Sequence, residues 1–332
     1  MNHRLLPCLA VLFAGACGSF EDPNIVIDLR VLAISASPPD QVIDVDLAAP
    51  PSPESLLAQL APTEVCALIA DPGLERRLTW SMTVCKYDDA RCDPDFSEIV
   101  LASGVIDDPD RIPTPTLCAT VEPTLELLVL LSEILEDDTL RGLGGIDYAV
   151  LLRIGGEDAD RALDQYATKR LRVAPRIPAA RAANTNPDIE RFDASLQAAD
   201  DDDEDAEATP LVLGRCLENP TPYELPPDTK VRLRPIEPAT AREVYAVPTL
   251  DGSSQVFTES LTYQWIASAG SFSSGSTGGP RDVSGNPAPL YSDYRSPPAE
   301  ELDGPTDVTL WIIQRDERLG VHWYEACVRV AP

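Results

Sequence analysis

Hydrophobic and polar positions alternate in short runs along most of this chain, and a period of two marks strands with one buried face. Up to residue 174 such runs are Ile25–Ala36 (IVIDLRVLAISA), Val42–Leu47, Glu64–Ala70, Leu78–Cys85, Glu98–Ser103, Leu117–Val121, Ile146–Ile154 and Tyr166–Val173. Beyond residue 184 they are Ile189–Leu196, Pro210–Cys216, Lys230–Ile236, Glu243–Val247, Leu261–Ala267, Val308–Gln314 and Gly320–Val330. Two stretches carry a helical period instead. Ser52-Pro53-Glu54 reads as an N-cap with proline at the first helical position, opening a short helix over Leu56, Leu57 and Leu60. After Pro123, the residues Leu127, Leu128, Leu131, Ile134 and Leu135 form the stripe of a packed helix, which stops near Arg141-Gly142.

Short strands punctuated by proline and glycine predict a mainly β chain of two tandem Ig-like β-sandwiches, the first with a helical insertion near 123–141. Pro175 to Ala183 (PRIPAARAA) is a linker by composition, so the expected units are 25–174 and 184–332. Gly270 to Gly279 (GSFSSGSTGG) reads as a flexible loop between strands.

The first residues follow a different pattern. Arg4 precedes an apolar run from Leu5 to Phe13, then small residues, which is the plan of a secretory signal peptide over 1–16. Ala14-Gly15-Ala16-Cys17 resembles a bacterial lipobox, although that motif usually has Leu where this chain has Ala14. The resemblance implies cleavage before Cys17 and lipidation of its sulfur, with 17–24 as a tether. The alternative is an ordinary signal peptide cleaved near Ala16. Leu125–Leu135 is the most apolar stretch of the body, but it has about half the ~20 residues a membrane span needs.

Cysteine usage fits export. Of eight cysteines, Cys8 falls in the leader and Cys17 is the lipidation site, which leaves six. An even number in an exported chain implies disulfides, and six cysteines allow fifteen pairings. The two-unit split suggests Cys216–Cys327 in the second unit. In the first, Cys85 and Cys92 flank the short polar loop KYDDAR, leaving Cys66–Cys118 between two strand-like runs. Zinc is disfavoured, because C-x₆-C without a companion C-x₂-C or a nearby histidine is poor metal spacing.

Charge and composition narrow the chemistry. The 332 residues carry 55 acidic and 26 basic side chains, for a net charge of −29. Nucleic acid is therefore not an expected partner, since phosphate contacts need clustered Lys and Arg. Of two histidines only His322 lies outside the leader, which removes most His-paired nucleophiles and multi-His metal sites. P-loop, G-x-S-x-G and G-x-G-x-x-G patterns are missing, and Gly142-Leu143-Gly144-Gly145 fails the last by lacking its third glycine.

Seven carboxylates crowd into 200–207, a calcium candidate that lacks the ligand spacing and turn glycine of a calcium loop. Asp88-Asp89, Asp93 and Asp95, and then Asp107, Asp108 and Asp110, read as turn residues. His322 or Tyr324 could face a ligand from the last strand.

A tryptophan recurs in Leu78-Thr79-Trp80 and in Leu261-Thr262-Tyr263-Gln264-Trp265, where an Ig-like sandwich places its core tryptophan. Trp265 to Phe272 (WIASAGSF) and Thr309 to Asp316 followed by Gly320 resemble the turns and closing hairpin of PKD-like repeats. The whole layout resembles Gram-negative bacterial lipoproteins with tandem Ig-like (PKD-like) domains. That resemblance implies a palmitate-bearing cell-envelope protein on the outer membrane. The function expected is a non-catalytic structural or interaction role, with no catalytic residues, cofactor or metal site. The partners expected are the membrane, through the lipid anchor, and an envelope or surface protein or glycan. Two alternatives stay open: an extracytoplasmic hydrolase using a carboxylate pair, and a calcium-dependent adhesion module.

Overall fold

A computed structural model describes residues 22–46, 52–73, 76–88, 91–93, 96, 98–107, 114–157, 160, 163–197, 207–219 and 221–331. The leader, Cys17 and residues 200–206 of the acidic run lie outside the described residues. Strands hold 49% of the chain and helices 8%, so the protein is mainly β.

In chain order the first sandwich contains β1 (Arg30–Ser37), β2 (Gln41–Ile43), α1 (Pro53–Leu57), β3 (Thr63–Ala70), β4 (Leu78–Asp88), β5 (Arg91–Cys92), β6 (Ile99–Ile106), β7 (Thr116–Val121), α2 (Leu125–Asp137), β8 (Ile146–Gly156) and β9 (Gln165–Pro175). One sheet is ordered β1-β3-β7 and the other β2-β9-β8-β4-β5, with β6 also on β4. The second sandwich contains β10 (Arg191–Gln197), β11 (Ala208–Pro210), β12 (Tyr223–Leu225), β13 (Lys230–Ile236), β14 (Val244–Pro248), β15 (Ser254–Thr258), β16 (Thr262–Ala267), β17 (Ser271–Phe272), β18 (Ser276–Gly278), β19 (Ser292–Arg295), β20 (Thr306–Arg315) and β21 (Val321–Val330). Its sheets are β11-β10-β13-β19-β17 and β12-β21-β20-β16-β18, with β14-β15 as a separate hairpin.

The same plan occurs twice. In each unit the first, second and fifth principal strands make one sheet, and the tryptophan strand, its partner and the last strand make the other. A short strand runs parallel to the last: β2 beside β9, and β12 beside β21. This is Ig-like strand order. Trp265 on β16 is fully buried and donates from Nε1 to Thr277 Oγ1 at 2.8 Å. Trp80 on β4 is half-buried against the first core.

Both helices start as their caps dictate. Ser52 Oγ accepts from Ser55 N, and Thr124 Oγ1 accepts from Leu127 N at 3.2 Å. The structure joins Cys66 to Cys118, Cys85 to Cys92 and Cys216 to Cys327. The first bridge crosses the directly opposed positions of β3 and β7, and the second closes the β4–β5 hairpin.

Three expectations are corrected. Ile25–Ala36 is not one strand: β1 begins at Arg30, and the preceding residues join the second sandwich, where Val26 N donates to Ala267 O at 2.9 Å. Pro210–Cys216 is not a strand either. After β11, Leu213 makes a single bridge to Ala326, and Gly214 N donates to Glu325 O with the backbone at φ 141°. The Gly-Ser stretch is ordered strand rather than flexible loop. Gly270 and Gly278 take positive φ where a side chain would strike the Arg295 and Leu261 carbonyls, which lets β17 and β18 pair with β19 and β16.

A third apolar cluster lies between the sandwiches. Leu32, Ala33, Leu68 and Ala70 from β1 and β3 meet Val26, Ile266, Trp311, Ile313 and Val321. β20 therefore buries both faces: Leu310 and Ile312 fill the second core while Trp311 and Ile313 face the first sandwich. Polar groups close the edges of this seam. Asn184 N donates to Asp40 Oδ1 at 2.6 Å, Asn186 Nδ2 to Ala36 O at 2.8 Å, and Thr114 Oγ1 to Glu325 Oε2 at 2.9 Å.

Trp311 is 1% exposed at this seam. Trp311→Ala is expected to destabilise the chain by about 3–5 kcal/mol, the usual range for a buried aromatic lost to a cavity. Urea unfolding checks this, and a loss below about 1 kcal/mol, the level of an ordinary surface change, would contradict the shared core.

Candidate functional site

The α2 sequence LELLVLLSEILED carries more apolar residues than one stripe can bury. Leu127, Leu130, Leu131 and Ile134 face the core. Leu128 and Leu135, placed on the packed stripe by the sequence reading, sit half-buried instead. Leu125 and Val129 are 64% and 56% exposed. The surplus lines a groove of about 430 Å³ between α2, α1 and the ends of β2, β8 and β9. Leu60 and Leu131 form its floor, Ile43, Leu56, Leu128, Leu135, Ile146 and Val173 its walls, and Pro53, Leu125 and Val129 its mouth. Its one polar side chain, Ser132, donates to Val129 O within the helix.

Carboxylates surround this apolar surface. Glu126, Glu133 and Glu136 are exposed on α2, Glu54 on α1, and Asp44 and Asp46 follow β2. Neither helix carries a lysine or arginine. Among the described residues Arg176 donates to Asp44, and Lys86 to Asp137 at the end of α2, each at 2.7 Å.

A second polar region lies where the sandwiches meet. The β20–β21 turn reaches the first sandwich, and Lys169 Nζ donates to the carbonyl of Leu319, a residue held at φ 83°. Burial pushes the Lys169 ammonium down to about 8, offset in part by Asp316. Arg318 Nη1 donates to Glu243 at 3.0 Å and Glu259 at 3.2 Å, and Nη2 to Ala182 O. Burial pushes the Glu259 carboxyl up to about 7, Asp316 and Glu243 adding to the rise and Arg318 opposing it. Burial likewise raises Asp40, against the Asn184 hydrogen bond and the pull of three arginines.

The other sequence candidates do not converge on a reactive centre. His322 is exposed, stacks on Tyr324 at 4.7 Å and lies 3.1 Å from Pro187 O. Tyr324 is buried and donates to Gln314. Asp93 pairs with Lys86, and Asp107 with Arg77. Asp89, Asp95, Asp108 and Asp110 lie outside the described residues, as do all but Glu207 of the acidic run. Glu64, Cys66 and Cys118 cluster closely, but both sulfurs are committed to a disulfide. Glu237 and Glu259 share a cleft of about 500 Å³, yet no aromatic side chain lines it. Arg242 grips Glu237 with two nitrogens, and Arg318 holds Glu259. Among the described residues no helix is long and apolar enough to cross a membrane.

The groove is not evident from the α2 stripe alone, because that pattern reads as wholly packed. The signal was present: eight of the first eleven α2 residues are Leu, Val or Ile, more than a one-sided helix can cover.

No family model matches the chain, and no curated protein matches it. Solved structures give distant likenesses. A biofilm-associated protein BSP domain is 6% identical at a TM-score of 0.23, with 94% of this chain and 61% of that one covered. E. coli alpha-2-macroglobulin is 9% identical at 0.20, over 94% of this chain and 17% of that one. The C-terminal domain of the Streptococcus agalactiae AgI/II polypeptide BspA is 8% identical at 0.17, over 82% of this chain and 93% of that one. The chain thus spans under two thirds of the first two, and TM-scores this low carry no argument about function.

The Glu259 carboxyl sets a pH test. Its folded value near 7 exceeds the ordinary 4.5 of a free glutamate. Between those values the unfolded chain releases a proton that the folded chain keeps, so stability falls as pH rises through that window. Glu259→Gln should flatten that fall relative to wild type in denaturant melts from pH 4.5 to 7. An unchanged slope would contradict the assignment.

Proposed function

We propose that this chain is an exported, lipid-anchored envelope module that binds a basic, amphipathic segment of a partner protein without catalysis. The observation that carries the reading is the α1–α2 groove, an apolar trough with a carboxylate rim. An apolar floor rewards burial of side chains such as Leu or Phe. A rim carrying Glu54, Glu126, Glu133 and Glu136 attracts Lys and Arg and repels acidic segments or anionic lipid. Helix-in-groove recognition uses this combination. Glycan fits less well, because no aromatic side chain lines the groove for a sugar ring to stack on.

Three disulfides support folding in an oxidising compartment. The anchor rests on Ala14-Gly15-Ala16-Cys17 and on the leader before it. Together they support a groove carried on a membrane-tethered body that holds a soluble or embedded partner.

Titration with a synthetic Lys/Leu amphipathic helix tests the groove. Binding should weaken as salt rises, be absent for a Glu/Leu helix of the same pattern, and fall at least tenfold in Val129→Asp. Val129 is 56% exposed, so this variant should keep its fold. Equal binding of both peptides, or an unaltered Val129→Asp, would overturn the reading. The anchor has its own test: Cys17→Ser should move the protein from the membrane fraction to the soluble one, and retention at the membrane would refute lipidation there.

A further inference from the structure

The seam between the sandwiches holds a cavity of about 290 Å³ whose lining includes four guanidinium groups, from Arg170, Arg172, Arg181 and Arg318, in a chain of net charge −29. The carboxylates in the lining are Asp40 and Glu317. We propose that this cavity is a binding site for a small organic carboxylate with an apolar body, whose head is held by Arg181.

Two of the four guanidiniums are already matched. Arg172 donates from Nε and Nη2 to both oxygens of Asp147, and Arg318 is held by Glu243 and Glu259. The other two donate a hydrogen bond to no described carboxylate. Arg181 donates only to carbonyls, Gly144 O at 2.9 Å and Pro175 O at 3.5 Å, and no described carboxylate lies within ion-pair distance of it. Arg170 has Asp147 at 3.9 Å, and its Nε is buried without an acceptor. Leaving a buried donor unpaired costs free energy, and a planar carboxylate is the acceptor whose geometry matches a guanidinium fork.

The two lining carboxylates do not fill this need. Glu317 accepts from Tyr245 OH, and Asp40 accepts from Asn184 N. Burial favours the neutral form of Asp40 against the pull of Arg318, Arg181 and Arg172; desolvation lowers Arg181, with crowding by Arg172 and Arg318 adding to it and Asp40 opposing it. A monoanion between these guanidiniums relieves that crowding.

The opposite wall is apolar. Leu143, Val247, Pro248 and Leu250 line it, and Leu250 is 85% exposed at its edge. A few oriented polar groups facing an apolar wall is the usual composition of a small-molecule pocket. The ligands come from β9, the linker, the β14–β15 hairpin and the β20–β21 turn, so a bound carboxylate touches both sandwiches. The site lies apart from the α1–α2 groove, and its failure would leave the groove reading standing.

Thermal unfolding of the full chain with sodium benzoate, against sodium chloride at equal ionic strength, tests the site. Ligand that binds only the folded state raises the melting temperature with concentration. Benzoate should raise it beyond chloride, and Arg181→Gln should remove that increment. Equal shifts in the two salts, or an increment retained in Arg181→Gln, would overturn the proposal. Should Arg181→Gln fail to fold, Leu250→Asp at the exposed wall serves instead: loss of the increment supports the site and its retention refutes it.

Discussion

The structure depends on one strand with two apolar faces. A strand on the surface of a sandwich turns polar residues to water at every second position. β20 does not: Leu310 and Ile312 fill one core, while Trp311 and Ile313 point the other way. Such a face must be covered, and the outer face of β1 and β3 covers it with Leu32, Leu68 and Ala70. The two sandwiches are thereby stacked rather than strung on a linker. Burying polar groups along that seam forces them to find partners, which is why Asp40, Asn184, Asn186 and Thr114 are all hydrogen-bonded across it. The cost of the seam is visible in its titratable groups, with Asp40 pushed up and Lys169 pushed down by burial.

The groove has the opposite origin. α2 interrupts the connection between β7 and β8 and brings more leucine than the core below it can take. Its core-facing stripe anchors it, and the leftover side chains meet α1 to form a trough. Exposed Glu54, Glu126, Glu133 and Glu136 flank this surface, and such carboxylates repel copies of the same chain. On the proposed reading, the same charges favour a cationic occupant.

Much of the architecture was legible in the sequence, for identifiable reasons. Alternation is a local signal, so most principal strands, the Ser52 cap and the two tryptophan strands stood out. The tight strands β17 and β18 did not, because Ser-Gly-rich segments look like loops until backbone contacts with Arg295 and Leu261 specify them. The seam was half-written: EVCALIA and LWIIQ are continuous apolar runs rather than alternating ones, which is how a strand buried on both faces reads. The guanidinium cluster had no linear signal at all. Arg170, Arg172, Arg181 and Arg318 come from β9, a linker and a distant turn, and only the stacking of the sandwiches gathers them.

The claim on which the rest turns is that the two sandwiches form one body through the faces of β20 and β1–β3. Hydrogen–deuterium exchange on the Trp311→Ala chain addresses it directly. The account predicts faster exchange not only in β20 but also in β1 and β3 of the other sandwich, which share the cluster with Trp311. Acceleration confined to the second sandwich, with β1 and β3 exchanging as in wild type, would contradict it.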